Sequence, residues 1–207
     1  MPGLTDDAHA IQRAINASQA EHRGLWFPGG LYVVNTTLVV ACTTGQAHTT
    51  WPVRLFGEGM RQAVIQAGGK PMHAVLAFAG VARGFNKQPR GVTTDGHRVE
   101  GLGFDANFVA DFAVTAPAIT RSTFADTRFT AARLAGLFLG GWINTVSQCV
   151  ISGNGLVGLH LANAVNAINV VNNVLEGNRN IGIVVNSGTV VREYSNDAPS
   201  SLRACYR

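Results

Sequence analysis

The sequence predicts an all-β solenoid, a parallel β-helix with one short α-helix at its N-terminus. Three observations predict it. The second half repeats itself every 22 to 25 residues; each repeat is built of short alternating apolar strands parted by Gly or Asn; and the one convincing amphipathic helix lies at the start of the chain. With 24 glycines and 14% charged residues among 207, the composition is that of a turn-rich β protein, long enough to enclose a sizeable core in one domain.

The helix comes first, in "GLTDDAHAIQRAIN". Thr5 is placed to act as its N-cap, Asp6 and Asp7 put negative charge on its first turn, and Ala8, Ile11 and Ile15 form an apolar stripe. The pattern ends between Ser18 and Gly24. Then "GLWFPGGLYVVNTTLVV" sets aromatic and β-branched residues on either side of Pro28, Gly29 and Gly30, which reads as strand, turn, strand. The helix is therefore expected to lie as a lid on a β-rich body.

The repeat defines the rest. "VISGNGLVGLHL" (150–161) and "VLEGNRNIGIVV" (174–185) superimpose at an offset of 24; "RFTAARLAGLFL" (128–139) fits the same frame 22 residues earlier, and "FDANFVADFAV" (104–114) fits it more loosely. Leucine-rich repeats of this length need a leucine and asparagine signature and a helix or its substitute in each unit, and neither is present. In a β-helix each coil pairs with the next and like side chains stack. Phe104, Phe129, Ile151 and Leu175 are expected to form one inward stack, and Phe112, Leu137, Leu159 and Ile183 another. Asn107, Asn154 and Asn178 would share a turn, interrupted by Ala132. The frame also disposes of "GNGLVG" (153–158) as a dinucleotide fingerprint, since that motif must open a helix and here a strand follows.

Other features bound the function. Cys42, Cys149 and Cys205 follow no metal-ligand spacing, allow at most one disulfide and read as packing residues or thiols. Sequons stand at Asn16 and Asn35. A net charge of +4 with pI near 9.3 favours an acidic partner. The basic residues never run together, so a polyuronide is expected rather than a nucleic acid. No apolar run approaches the roughly 20 residues that span a bilayer, so no membrane partner is expected, and the start lacks the order of a signal peptide.

"TDDAHAIQRAIN", "GLWFPGGLYVV", "LFGEG" (55–59) and "VEGLGFDANF" (99–108), in that order, resemble the pectate lyase-like domain of the rhamnogalacturonase/epimerase-like group. The resemblance covers most of residues 3–190. It implies a right-handed parallel β-helix capped by the opening helix, a secreted protein, and an enzyme, lyase or glycoside hydrolase, acting on a polysaccharide that the basic charge suggests is acidic. Met1 and Pro2 stand where the group usually has Gly-Asp, and its enzymes tend to be longer, so the sequence also reads as a shortened relative. The expected organisation is one β-helix domain over 1–190, with helix and linker at 3–24, first coils at 25–100 and regular coils at 101–190, then a polar tail at 191–207. The alternative is a non-catalytic, glycan-binding or tailspike-like module, self-associating through an open solenoid end or its sides.

Hydrolysis and elimination each ask for particular side chains. Hydrolysis needs two carboxyl groups within roughly 5 to 9.5 Å. Asp105, Thr130, Ser152 and Glu176 share a column in this frame, which sets Asp105 and Glu176 three coils apart, too far for one glycosidic bond. Asp111 falls in the slot that Gly136, Gly158 and Gly182 hold, so Asp105 with Asp111 is the candidate pair, and Asp126 lies one coil on. Elimination needs a base and a neutralised substrate carboxylate, by calcium or by arginine; Arg128 and Arg133, one coil beyond the acids, are the candidates, with Arg179 near Glu176. No cofactor is certain; calcium is expected only for a lyase. His160 alternates with Leu159 and Leu161 and so points outward, with Ala113, Phe138 and Val184 in its column. Asp95 and His97 stand in a loop before a coil. Trp51 and Trp142 are candidate stacking platforms, and Asp6 and Asp7 read as structural.

Overall fold

Apolar residues that recur at the coil period stack strand upon strand when the chain winds. The computed structural model describes residues 5–42, 51–79, 94–162, 165–186 and 191–194, with the backbone alone at 94, 95, 191, 193 and 194. Sheet I contains, in order, β1 (Leu25–Phe27), β4 (Arg54–Gly57), β8 (Arg98–Glu100), β11 (Thr123–Ala125), β14 (Thr145–Ser147), β17 (Ile168–Val171) and β20 (Val191–Tyr194). Sheet II contains β2 (Gly30–Val34), β5 (Ala63–Ala67), β9 (Gly103–Asp105), β12 (Arg128–Thr130), β15 (Val150–Ser152) and β18 (Val174–Glu176). Sheet III contains β3 (Leu38–Ala41), β6 (Met72–Ala79), β10 (Ala110–Thr120), β13 (Ala135–Trp142), β16 (Val157–Leu161) and β19 (Ile181–Val185), and β7 (Thr94–Asp95) pairs with the far end of β10. All pairs are parallel. The chain visits the three sheets in turn, coil after coil, as a right-handed parallel β-helix. β20 pairs with β17, so the coils run four residues into the stretch expected to be polar tail; Cys205 and the rest of that tail lie outside the described residues.

The inward stack of Phe104, Phe129, Ile151 and Leu175 is as expected. Phe104 and Phe129 lie with ring centroids 6.0 Å apart and planes 10° from parallel. The second stack is corrected: Val114, not Phe112, is the partner of Leu137, Leu159 and Ile183. Ten residues separate Phe104 from Val114, against eight from Phe129 to Leu137, so the looser copy is two residues longer between its inward positions. That shift also removes Asp111 from the glycine slot, which Ala113 fills, and puts Thr115 rather than Ala113 beside Phe138 in the column of His160 and Val184.

Corners follow a rule. From β8 onward, the turn from sheet I to sheet II takes one left-handed residue and then one buried residue: Gly101 then Leu102, Asp126 then Thr127, Gln148 then Cys149, Asn172 then Asn173. Asp126 thus holds a turn at φ 44°, and Cys149 is a buried corner thiol whose burial pushes its pKa up to about 12. At the turn from sheet II to sheet III, Asn154 and Asn178 form the expected ladder. Asn154 donates to Asn178 Oδ1 from Nδ2 at 2.8 Å and accepts from the Ala132 N–H at 3.0 Å. Asn107 does not join it; it is exposed, at φ 50°, and its amide reaches back to the Ala67 carbonyl.

The helix α1 (Ala8–Glu21) buries Ala8, Ile11 and Ile15. Asp7, not Thr5, takes the N-cap position. Both aspartates precede the helix rather than lying on its first turn: Asp6 Oδ1 accepts from the Ala8 N–H, which holds its carboxyl below the usual range, while Asp7, whose side chain makes no cap bond, exchanges hydrogen bonds with Val33 on the edge of β2. Gln12 does the same for β3, donating to the Val39 carbonyl and accepting from the Val39 N–H, both at 2.7 Å. The helix therefore satisfies strand edges that would otherwise be open.

Candidate functional site

The four sequence-predicted site residues are divided between sheet II, sheet III and the turn that joins them. Asp105 ends β9 on sheet II, in register with Gln66, Thr130 and, through Ser152, Glu176. Its carboxylate closes a turn on the Asn107 N–H at 2.8 Å and accepts from Gln66 Nε2 at 2.8 Å. Arg128 begins β12, two residues before the Thr130 that faces Asp105. Asp111 lies beyond the corner, at the start of β10 on sheet III, where Arg133 approaches it at 3.7 Å. The structure thus brings Asp111 and Arg133 together and leaves Asp105 and Arg128 on the neighbouring sheet. Arg179 lies on a sheet II to III turn and shares a groove there with Phe108, Arg133, Leu134 and Leu156.

Sheet III carries a feature that the sequence reading missed. On its outer side His73 and Phe112 meet at 5.2 Å between ring centroids, Phe112 and Phe138 at 5.6 Å, and Phe138 and His160 at 4.9 Å. Asn186 extends the row, its Nδ2 lying 2.8 Å from His160 Nε2. One ring comes from each of β6, β10, β13 and β16, so a ribbon of four aromatic groups crosses the coils; Phe138 and His160 are in register, and Phe112, opposite Ala135, sets the row oblique to the axis. His73 is exposed and the other three are partly exposed. Burial lowers the pKa of His160 below the ordinary imidazole value, which favours the neutral ring. The outward pointing of His160 signalled this ribbon in the sequence; the two-residue shift hid Phe112.

His97 turns out to be a corner residue, 1% exposed. Its Nδ1 accepts the Val53 N–H at 3.0 Å, its own N–H donates to Ser122 Oγ, and the Ser122 N–H donates to Asn144 Oδ1. Burial holds the imidazole down at about 4. Trp51 packs on His22 at 3.8 Å between centroids, near the helix end, and Trp142 ends β13; neither joins the ribbon. The side chain of Asp95 lies outside the described residues.

Calcium takes six to eight oxygen ligands at about 2.3–2.6 Å. Among the described residues no group of three or more His, Cys, Asp or Glu side chains is placed to hold a metal ion, and Asp105 and Asp111, engaged on separate sheets, do not fit such a shell. No helix among them is long and apolar enough to cross a membrane.

A parallel β-helix with a helix-capped end and an aromatic outer face is the class that this geometry defines. Over residues 2–199 the chain matches the family described as rhamnogalacturonase A/epimerase, pectate lyase-like, and it belongs to that family. No curated protein matches it in sequence. Among solved structures, the catalytic unit of a GH87 alpha-1,3-glucanase from Streptomyces thermodiastaticus is similar at TM-score 0.59 and 16% identity, over 95% of this chain and 39% of that one. The A-module of the mannuronan C-5 epimerase AlgE4 from Azotobacter vinelandii is similar at TM-score 0.56 and 21% identity, over 90% and 57%. The pre-mature gene product 12 of bacteriophage phi29 is similar at TM-score 0.54 and 12% identity, over 98% and 34%. These are likenesses of fold, and the chain spans less than two thirds of each neighbour.

Proposed function

We propose that the chain acts on an acidic polysaccharide laid along the outer face of sheet III, over His73, Phe112, Phe138 and His160. The ribbon carries this reading: neighbouring ring centroids lie 4.9 to 5.6 Å apart, close to the length of one sugar residue, and aromatic groups offer apolar area to the C–H faces of pyranose rings. Family membership supports a glycan, as do the glucanase and the epimerase among the fold neighbours. The net charge of +4 supports an acidic one. Elimination and epimerisation of a uronate both begin with removal of the proton at C5, beside the carboxylate. His160 is the base this reading assigns, its Nε2 taking the C5 proton once substrate displaces the Asn186 amide that donates to it, with Arg133 beside Asp111 as a cation on the turn before β13.

The division of Asp105 and Asp111 between two sheets favours a second reading, a glycan-binding module without turnover. One experiment separates them: purified protein, with and without calcium, against pectate, rhamnogalacturonan, alginate and neutral glucans, following new reducing ends, the ultraviolet absorbance of unsaturated uronates and C5 inversion. Unsaturated or inverted product that His160→Gln abolishes supports the first reading. New reducing ends without that absorbance transfer attention to the carboxylates. A folded sample that binds glycan but turns over none of these substrates sinks the enzymatic reading and leaves the binding module.

A further inference from the structure

A second face of the solenoid carries charge with no part in the ribbon. On sheet I, Arg54 and Arg98 stand directly opposite one another on adjacent parallel strands, and Thr123 continues their column. Arg121 sits on the turn just before Thr123, at φ 47°. Together with Phe56 and Glu100 these residues line a groove of about 350 Å³. Arg54, Arg98 and Glu100 alone leave it at a formal +1. Glu100 is committed to Arg98, one of its oxygens accepting from both Nε and Nη2 at 2.7 Å. Arg54 has no carboxylate partner among the described residues.

Like charges directly opposite in neighbouring strands destabilise a sheet. An anion lying between Arg54 and Arg98 converts that repulsion into two attractions, and guanidinium forks match a carboxylate in plane and spacing. Phe56, partly buried in the register position beside Glu100, adds an apolar patch at the same place. Arginine forks with an aromatic patch suit a uronate residue, whose carboxylate and ring face are offered side by side. A nucleic acid asks for something else, a run of positive charge that tracks many phosphates, and the other basic residues are scattered.

We propose that this groove on sheet I, formed by Arg54, Arg98, Arg121 and Phe56, is a carboxylate-binding site for an acidic polysaccharide, separate from the sheet III ribbon. It gives the chain two faces on which a polyuronide can be held, and it rests on the acidic-glycan reading only for the identity of the polymer. The test measures affinity for hexagalacturonate, maltohexaose and a hexameric oligo(dT), each with rising sodium sulfate, for wild type, Arg54→Gln, Arg54→Gln/Arg98→Gln and, separately, Phe138→Ala. The double variant is checked for an unchanged far-ultraviolet spectrum and melting temperature; Arg54→Gln, which leaves the Arg98–Glu100 pair in place, is the fallback if the double variant misfolds. A loss of tenfold or more in affinity at one of two hexagalacturonate sites on removing the arginines, with Phe138→Ala weakening only the other, supports two faces. The same loss with Phe138→Ala silent supports the groove and counts against the ribbon. Unchanged affinity in the arginine variants, with Phe138→Ala weakened, overturns the groove and leaves the ribbon. Tighter binding to oligo(dT) than to hexagalacturonate, displacement by millimolar sulfate, or no hexagalacturonate binding at all each overturns it too.

Discussion

His97 shows how one side chain can satisfy a solenoid corner and suggest catalysis in the sequence. The corner needs an acceptor for the backbone N–H of the preceding coil, and Ser122 and Asn144 supply it in later coils as His97 does for Val53. Only the ring nitrogen without a proton can accept, so the fold requires neutral imidazole. The folded pKa of about 4 lies below the ordinary 6.5, so the unfolded chain takes up the proton first as pH falls. Stability is then unaffected above about pH 6.5, declines as pH drops, and levels off near pH 4, by about 3 kcal/mol in all. His97→Asn keeps an acceptor of the kind used at position 144 and removes the titration. Urea unfolding at a series of pH values should show the wild-type midpoint falling relative to this variant across that window, and parallel curves would refute the account. His97→Ala, which strands the Val53 N–H in the core, is expected to cost about 2–3 kcal/mol at pH 7.

Among the elements, the turns and the helix hold the coils in register. Asn178 accepts from the Asn154 backbone and side chain and donates to the Ile151 carbonyl at 2.9 Å. Asn178→Ala leaves those buried groups without partners and should lower stability by about 2–3 kcal/mol, read by denaturant unfolding, whereas the exposed Asn107→Ala should cost well under 1 kcal/mol. At the other end Gln12 stands in for a neighbouring strand on the edge of β3. Gln12→Ala uncovers a donor and an acceptor on that edge, and sedimentation velocity should then show concentration-dependent self-association absent from the wild type. The coil period, the Phe104 stack and the Asn154–Asn178 ladder were legible in the sequence because each recurs at the coil period of 22 to 25 residues. The sheet III register of the 104–114 copy was not, because two extra residues displace Asp111 and Phe112 without disturbing Phe104. The site suffered most from this. His160 could be read as outward from simple alternation, but that His73, Phe112 and Phe138 join it depends on pairing across four strands, which no single repeat contains. The N-cap moved from Thr5 to Asp7 because the aspartates bond to strand edges as well as to the helix.

At the scale of the whole molecule, a solenoid places like positions at a fixed rise, so a surface built from one residue per coil becomes a linear track. The ribbon is an oblique case of this: β6, β10, β13 and β16 each contribute one ring, with centroids 4.9 to 5.6 Å apart, Phe138 and His160 in register and Phe112 opposite Ala135, three residues before Phe138. A polymer lying along the row meets a new ring with each added sugar until the four are covered. Affinity for oligouronates should therefore climb steeply from dimer to tetramer and flatten beyond the length that spans His73 to His160. Phe138 stands inside the row, so Phe138→Ala divides the track; tetramer affinity should drop about tenfold while dimer affinity changes little, corresponding to about 1.4 kcal/mol of lost aromatic contact. Isothermal titration with oligomers of two to eight residues measures both curves. A polymer that crosses the coils at right angles would touch one ring whatever its length, and a flat dependence on length would then place the glycan across the sheet rather than along it.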